Sequence, residues 1–162
     1  MPIVRRATAD DAARCAQIYA PFVSDTVITF EEDAPGVDEM AGRIATFGAS
    51  HAWLVAEEDG HIAGYAYASP HNERAAYRSS VNVGIYVDPA FARCGIGRAL
   101  YAELFARLKA QGRHAAFALI TLPNEPSIAL HEAFGFEPVG VCREVGWKHG
   151  QWRDVGWWQL IL

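Results

Sequence analysis

Hydrophobic and other residues alternate along the middle of the chain, from position 81 to position 87. Every second residue there is β-branched: Val81, Val83, Ile85 and Val87. A period of two predicts a strand, and Asp88 and Pro89 end it. Two glycines, Gly95 and Gly97, precede a helix whose first amides are free to bind an anion. This stretch therefore predicts a strand, a loop of phosphate size and a helix.

Helical spacing marks the segment after the loop. Apolar residues recur on its inner face, and Gly112 ends it: Ile96, Leu100, Leu104 and Leu108. Further helices are predicted at 12–22, 37–47 and 127–134, and strands at 3–7, 52–57, 61–69, 115–122, 139–145 and 155–162. The segment 27–30 is expected to be extended, and Gly48 to end the second helix. Strands and helices that alternate around one sheet predict an α/β or α+β domain.

Composition narrows the class of protein. The 162 residues are 51% hydrophobic, which suits a single domain spanning 1–162 with one sizeable core. A net charge of −5 without a basic run disfavours nucleic acid or a membrane as partner and favours a small molecule. No apolar segment of transmembrane length or of signal-peptide type is present, so a cytoplasmic location is expected. Three widely spaced cysteines fit reduced thiols better than a disulfide framework or a zinc site.

The glycine loop by itself has two interpretations. The dinucleotide fingerprint needs a third glycine where Leu100 stands, and the P-loop pattern is absent. A lone Gly-x-Gly before a helix is equally typical of a plain tight turn. Only the surrounding motifs can decide between an anion site and a turn.

Three longer motifs carry a resemblance to a known family. They are RAAY at 74–77, LPNEPSIALHEAFGF at 122–136 and GWKHGQWRDVGWWQL at 146–160. With the central strand and loop, they resemble the GCN5-related N-acetyltransferase (GNAT) superfamily, in particular its phosphinothricin acetyltransferase branch, over essentially the whole chain. The resemblance implies an α+β, three-layer fold. Its mixed, mostly antiparallel sheet would be splayed at the middle strands and covered by helices on both faces.

The resemblance also implies acetyl-CoA as co-substrate, with no metal. The residues that match its binding positions are Ile85, Tyr86 and Val87 on the strand, Arg93, Cys94, Gly95, Ile96, Gly97 and Arg98 in the loop, and Asn124 at the pantetheine arm. The loop departs from the family pattern at two positions. Ala92 stands where the motif begins with Gln or Arg, and Arg93 stands at a position that is usually glycine. We expect Arg93 or Arg98 to supply the missing charge.

Two catalytic positions follow from the resemblance. His131 occupies the place of the residue that protonates the leaving thiolate, a role that an imidazolium can fill near neutral pH. Asn82 stands where the branch has a glutamate, the proposed general base. An amide accepts no proton at neutral pH and can only orient a water or the substrate. His71, Glu73 or Glu31 remain open as replacement bases.

The acceptor is expected to be the amine of a small amino acid or analogue, such as phosphinothricin or methionine sulfoximine. Arg74 is the candidate for gripping a carboxylate, and Phe30 and Tyr77 are candidate pocket walls. Other amines, such as a polyamine or a protein N-terminus, and a non-catalytic acetyl-CoA-binding module remain as alternatives. A homodimer is also expected, because tryptophans crowd the final strands, where they form core or a dimer face: Trp147, Trp152, Trp157 and Trp158.

Overall fold

A computed structural model describes all 162 residues. Seven strands form one sheet in the order β1-β2-β3-β4-β5-β7-β6. The strands are β1 (Ile3–Arg6), β2 (Ala52–Glu58), β3 (His61–Pro70), β4 (Ser80–Val87), β5 (Ala115–Thr121), β6 (Glu137–Lys148) and β7 (Gln151–Ile161). The helices are α1 (Ala12–Asp25), α2 (Val37–Ser50), α3 (Ile96–Ala110) and α4 (Glu125–Ala133). The mixed sheet with helices confirms the predicted α+β class.

Neighbouring strands are antiparallel except at the centre of the sheet. There β4 and β5 run parallel and share only three residue pairs, from Ser80 opposite Ala115 to Asn82 opposite Phe117. Beyond Asn82, β4 continues to pair with β3 alone, while β5 pairs with β7 alone. The two central strands therefore diverge, as the resemblance to splayed sheets implied.

Two hydrophobic cores cover the two faces of the sheet. One contains the predicted inner face of α3, and its four residues are all buried: Ile96, Leu100, Leu104 and Leu108. The other is formed by α1 and α2 against β2 and β3, with Val23, Met40 and Val55 among its most buried members. Burying each such side chain contributes roughly 1.5 to 3 kcal/mol. The helices thus cover both faces of the sheet.

Two boundary predictions differ from the structure on the N-terminal side. Helix α2 continues through Gly48 to Ser50, because Met40 and Ile44 pack its inner face into the core and outweigh the low helix propensity of one glycine. The segment 27–30 forms bends rather than a strand. Side chains hold it instead: the Lys148 ammonium donates to the carbonyls of Val23 and Thr29 at 2.7 and 2.8 Å.

The two C-terminal strands are longer than predicted. They cover Glu137–Lys148 and Gln151–Ile161 and meet at a turn of His149 and Gly150, both with positive φ. Strand β6 is exposed along most of its length and has register shifts against β7 near Pro138 and Cys142. Because its side chains are largely outside the core, the hydrophobic pattern marks only part of this strand.

Candidate active site

The divergence of β4 and β5 opens a cavity of about 250 Å³ between them. Its walls include Asn82 to Tyr86 of β4 and Ala118 to Thr121 of β5. Tyr101 reaches it from α3, Asn124 and Ser127 from the start of α4, and His131 from the last turn of α4. The β4 edge that faces this cavity has no strand partner beyond Asn82, so its backbone groups can pair with an extended ligand.

The loop that follows β4 presents a row of free backbone donors. The N–H groups of Arg93, Gly95, Ile96, Gly97 and Arg98 have no acceptor within the protein. Gly95 caps α3 with a φ of +77°, a conformation that glycine adopts without steric cost. Amides that converge at a helix start, together with the helix dipole, form an anion site. This geometry favours the anion-site interpretation over a plain turn.

The backbone conformation of Arg93 explains why the family motif usually has glycine at this position. Its φ is +65°, in the left-handed region where a residue with a Cβ is strained by roughly 1 to 2 kcal/mol. A glycine is therefore the unstrained residue at this position. Arg93, Cys94 and Arg98 are all exposed, and neither arginine has a carboxylate partner. Both guanidinium groups are available to an anion at the loop.

The predicted strand residues lie on the open edge of β4. Ile85, Tyr86 and Val87 pair with Ala66, Tyr65 and Gly64 of β3 on their other side. The Tyr86 ring packs edge-on against Tyr19 of α1, with the centroids 4.7 Å apart. Burial raises the pKa of Tyr86 well above its usual value, so its hydroxyl stays neutral. These side chains fix the strand while its backbone faces the cavity.

Asn124 caps helix α4 at the rim of the cavity. Its side-chain oxygen accepts a hydrogen bond from the backbone N–H of Ser127 at 3.3 Å. Since the oxygen is engaged with the helix, the amide N–H groups of Asn124 remain as donors for a ligand. A cap and a ligand contact are compatible in this geometry.

His131 is buried and held by two hydrogen bonds. Its Nδ1 lies 2.7 Å from the Ser127 carbonyl, and its Nε2 lies 2.7 Å from the Tyr101 hydroxyl. A carbonyl only accepts, so Nδ1 carries the proton and Nε2 accepts from Tyr101. Burial lowers the pKa of His131, which disfavours the imidazolium expected from the sequence. The role of His131 as proton donor to the thiolate stays a prediction. Tyr101 lies beside it in the wall of the same cavity.

Asn82 has a partner that the sequence did not place. Its Oδ1 lies 2.7 Å from Nδ1 of His71, at the start of the segment between β3 and β4. The half-buried His71 ring stacks on Phe117 with centroids 4.2 Å apart and meets Trp157 edge-on. The amide that replaces the branch glutamate is therefore joined to an imidazole.

The other two candidate bases lie in different surroundings. Glu31 accepts from Tyr19 and from Arg43, whose Nη1 is 3.0 Å from Oε2. Arg43 lowers the pKa of Glu31, which makes its carboxylate a weaker base. Glu73 is exposed and makes no hydrogen bond or ion pair. Of the three candidates, only His71 contacts Asn82.

The predicted substrate residues fall into two places. Tyr77 is exposed on a short 3-10 turn, Ala75–Tyr77, and its ring centroid lies 5.9 Å from that of His71. Arg74 caps this turn and is exposed, with a guanidinium that has no protein partner. Phe30 instead packs against Gly146 of β6, where any Cβ would collide with its ring. No ring contact joins Phe30 to Tyr77, and the lining of the cavity between β4 and β5 includes neither of them, nor Arg74.

Sequence reasoning missed Tyr101 and left His71 as one option among several. Tyr101 lies beside the Leu100 stripe, and a fully buried phenol needs a hydrogen-bond partner, which was the available signal. Of the four C-terminal tryptophans, Trp158 is buried, Trp157 is half-buried, and Trp147 and Trp152 are more than half exposed. No group of three or more His, Cys, Asp or Glu side chains is arranged to hold a metal ion. None of the helices is long and apolar enough to cross a membrane.

Comparison with known proteins assigns this architecture. Residues 15–136 match the acetyltransferase (GNAT) family. The chain is 38% identical to phosphinothricin N-acetyltransferase of Streptomyces viridochromogenes, over 96% of this chain and 85% of that protein. It is 31% identical to an L-methionine sulfoximine/L-methionine sulfone acetyltransferase of Salmonella typhimurium, over 98% and 94%.

A solved structure shows the same fold with a bound co-substrate. The phosphinothricin acetyltransferase of Sinorhizobium meliloti, in complex with AcCoA, matches with a TM-score of 0.95 and 39% identity, over 99% of this chain and 88% of that one. Both the family match and these relatives cover most of the chain. The seven-strand fold described above is thus shared with a known acetyltransferase. The chain belongs to the GNAT acetyltransferase family and transfers an acetyl group to an amine.

Proposed function

We propose that this protein uses acetyl-CoA to acetylate the amine of a small amino acid or amino acid analogue, in the class of phosphinothricin and methionine sulfoximine. We take residues 1–162 as one N-acetyltransferase domain. The observation that carries the proposal is the open edge of β4, which leads directly into the row of free loop amides. An extended thiol arm with a diphosphate at its end fits that combination.

Acetyl-CoA occupies the cavity between β4 and β5 in this proposal. The backbone of Ile85, Tyr86 and Val87 pairs with the pantetheine arm, and Asn124 donates to it from the other wall. The diphosphate takes the free amides from Arg93 to Arg98, with the two arginines supplying charge in place of Ala92. Cys94 contributes to this site only through its place in the loop backbone, because its thiol lies near the Ala92 carbonyl. None of these contacts uses a metal ion.

The chemistry follows from holding both reactants in the diverging sheet. A neutral amine attacks the thioester carbonyl, and a free backbone N–H of β4 stabilises the oxyanion. The C–S bond then breaks and the thiolate takes a proton from the side of the cavity that holds Tyr101 and His131. Asn82 also lines the cavity, and in this proposal the acceptor amine lies beside it.

Arg74 supports an acceptor that carries an acid group. Its guanidinium is exposed and unpaired on the same segment as Tyr77. Such a group binds carboxylate or phosphinate oxygens in a two-pronged geometry. Phosphinothricin and methionine sulfoximine carry both an α-amine and an acid, whereas a polyamine carries no acid. A polyamine or a peptide N-terminus is therefore the weaker candidate.

An acceptor panel tests the substrate class. Thiol release from acetyl-CoA is measured with L-phosphinothricin, L-methionine sulfoximine, spermidine and a short peptide. We expect the two amino acid analogues to be turned over, and Arg74→Ala to raise their KM with little change in kcat. Turnover of spermidine or peptide alone would reject the proposed class.

Asn82 favours one alternative of a different kind, a module that binds acetyl-CoA without turnover. Acetyl-CoA binding by titration, with no thiol released above background for any amine, would identify it.

The two remaining proposals concern assembly and location. A homodimer is supported by exposed apolar side chains on β6 and β7, namely Val139, Val141, Val145, Trp147 and Trp152. Sedimentation of the wild type and of Trp147→Lys tests this proposal. Three free cysteines support a reducing, cytoplasmic compartment.

A further inference from the structure

We infer that His71 is the general base that removes the proton from the acceptor amine, in place of the glutamate that Asn82 replaces. This inference rests on the proposed N-acetyltransferase function. It begins with the one contact that joins the two residues, the 2.7 Å hydrogen bond from His71 Nδ1 to Asn82 Oδ1. An amide oxygen only accepts, so Nδ1 must be the protonated nitrogen. The lone pair of a neutral His71 is then on Nε2.

The ring is fixed in place by aromatic neighbours. Phe117 lies parallel to it, at an interplanar angle of 20°, and Trp157 is perpendicular to it at 90°. Phe117 is the residue directly opposite Asn82 in the β4–β5 pairing, so the same strand register that positions the amide also positions the ring. Nε2 has no hydrogen-bond partner in the protein. His71 is therefore a single tautomer with a free basic nitrogen.

The position of His71 suits a base that acts on the acceptor amine. Asn82 lines the cavity, and Ser69 lies opposite it in the β3 register. His71 follows Ser69 by two residues and contacts Tyr77, a candidate wall for the acceptor. His71 is thus joined to the cavity wall through Asn82, and to the segment that carries the substrate candidates through Tyr77. Of the rings and polar groups that meet the imidazole from the neighbouring elements, Tyr77 is the only ionisable one.

The proton balance is complete with this residue. The acceptor enters as an ammonium ion and gives one proton to His71 Nε2, which passes it to solvent. The resulting amine forms the C–N bond to the acetyl carbon, and the C–S bond breaks. The second proton on nitrogen leaves as the amide forms and ends on the CoA thiol. One proton is released to solvent for each acetyl group transferred, and no further reactant is needed.

Substitution at His71 and Asn82 tests the assignment on the whole enzyme with acetyl-CoA and L-phosphinothricin. His71→Gln should lower kcat by about a hundredfold to ten-thousandfold and leave the acetyl-CoA Kd unchanged. It should also remove the acidic limb of the pH profile, which a merely structural residue would not do. Asn82→Asp accepts the same hydrogen bond with a charge and should move that limb to higher pH. His61→Gln, at an exposed site on β3, is the matched control and should match the wild type.

Nitrogen NMR of the wild type and of His71→Gln gives a second measure that does not depend on activity. We expect one histidine with its proton on Nδ1 to disappear from the spectrum in the variant. A proton on Nε2 instead, or kcat of His71→Gln within about threefold of the wild type, would overturn the assignment. A wild type that binds acetyl-CoA but acetylates no amine would overturn the proposed function and this inference together. The two failures are therefore distinguishable.

Discussion

The hydroxyl of Tyr101 lies 2.7 Å from Nε2 of His131, and it donates to a ring whose other nitrogen donates to the Ser127 carbonyl. This arrangement stabilises His131 as the neutral tautomer in a buried wall of the cavity. The thiolate of CoA would form beside this pair. In the proposed function, the proton for the thiolate comes from the Tyr101–His131 pair acting together rather than from a free imidazolium.

Removing the Tyr101 hydroxyl should affect both stability and turnover. Tyr101→Phe leaves the buried Nε2 of His131 without a donor, which costs roughly 1 to 3 kcal/mol of unfolding free energy. Denaturant unfolding measures this cost. We also expect a lower kcat with an unchanged Kd for acetyl-CoA. Phe105→Leu, in the same helix and core, is the control and should change stability without lowering kcat. Unchanged kcat in Tyr101→Phe would remove Tyr101 from the chemistry.

The buried His131 predicts how stability depends on pH. Its pKa is lowered by burial in the folded state, so the unfolded chain binds a proton first as the pH falls. Its contribution is fully present above the ordinary histidine pKa of about 6.5 and is lost as the pH falls from there toward the folded pKa. His51 acts in the same direction, for the same reason.

Thermal unfolding at pH 7.5 and at about pH 5.5 measures this dependence. The loss of stability on acidification should be smaller in His131→Gln than in the wild type. His51→Gln should remove another part of it, and the exposed His61→Gln none. Equal losses in His131→Gln and wild type would mean that His131 is not held neutral.

Two substitutions at Arg93 distinguish the effect of its charge on acetyl-CoA binding from the effect of its backbone strain on stability. Arg93→Gly relieves the φ of +65° but removes the charge, whereas Arg93→Ala removes the charge and keeps the strain. We expect both variants to bind acetyl-CoA more weakly, and Arg93→Gly to be more stable than Arg93→Ala by up to about 1 kcal/mol. Titration calorimetry and thermal unfolding measure the two effects. Unchanged affinity in Arg93→Ala and in Arg98→Ala would reject a charge contribution at this loop.

Asn124 allows its capping and ligand roles to be separated. Asn124→Asp keeps the side-chain oxygen that accepts from Ser127, so α4 should retain its stability, but it loses the amide donors. Asn124→Ala loses both and should cost about 1 kcal/mol of stability. If the donors contact pantetheine, both variants raise the KM for acetyl-CoA. A KM that rises only in Asn124→Ala would assign the residue to capping alone.

Particular residues show how far the sequence alone predicts this structure. Strand β4 and helix α3 were predicted because strict periods of two and of 3.6 survive in their apolar residues. The exposed strand β6 has no such pattern over much of its length, so its boundaries were wrong. The apolar residues of the segment 27–30 predict an extended conformation. They give no indication of the hydrogen bonds from Lys148, more than a hundred residues away, that hold the segment in its observed conformation.

The candidate site divides in the same way. The anion loop was visible as two glycines before a helix, and its role became specific only through resemblance. The His71–Asn82 and Tyr101–His131 contacts join residues 11 and 30 positions apart. Neither spacing is a local period of a helix or strand, so only the folded sheet brings these pairs together. Asn82, His131 and the option of His71 could therefore be read from the sequence, whereas Tyr101 and the pairing of these residues could not.

In the proposed function, the cleft between β4 and β5 transfers an acetyl group from acetyl-CoA to the amine of an acid-bearing small molecule. Mass spectrometry of the product from acetyl-CoA and L-phosphinothricin tests it most directly, with fragmentation to locate the added group. We predict one acetyl group per molecule, attached to the α-nitrogen, at a rate far above that without enzyme. Unmodified phosphinothricin and methionine sulfoximine after prolonged incubation, with intact binding of acetyl-CoA, would contradict the account.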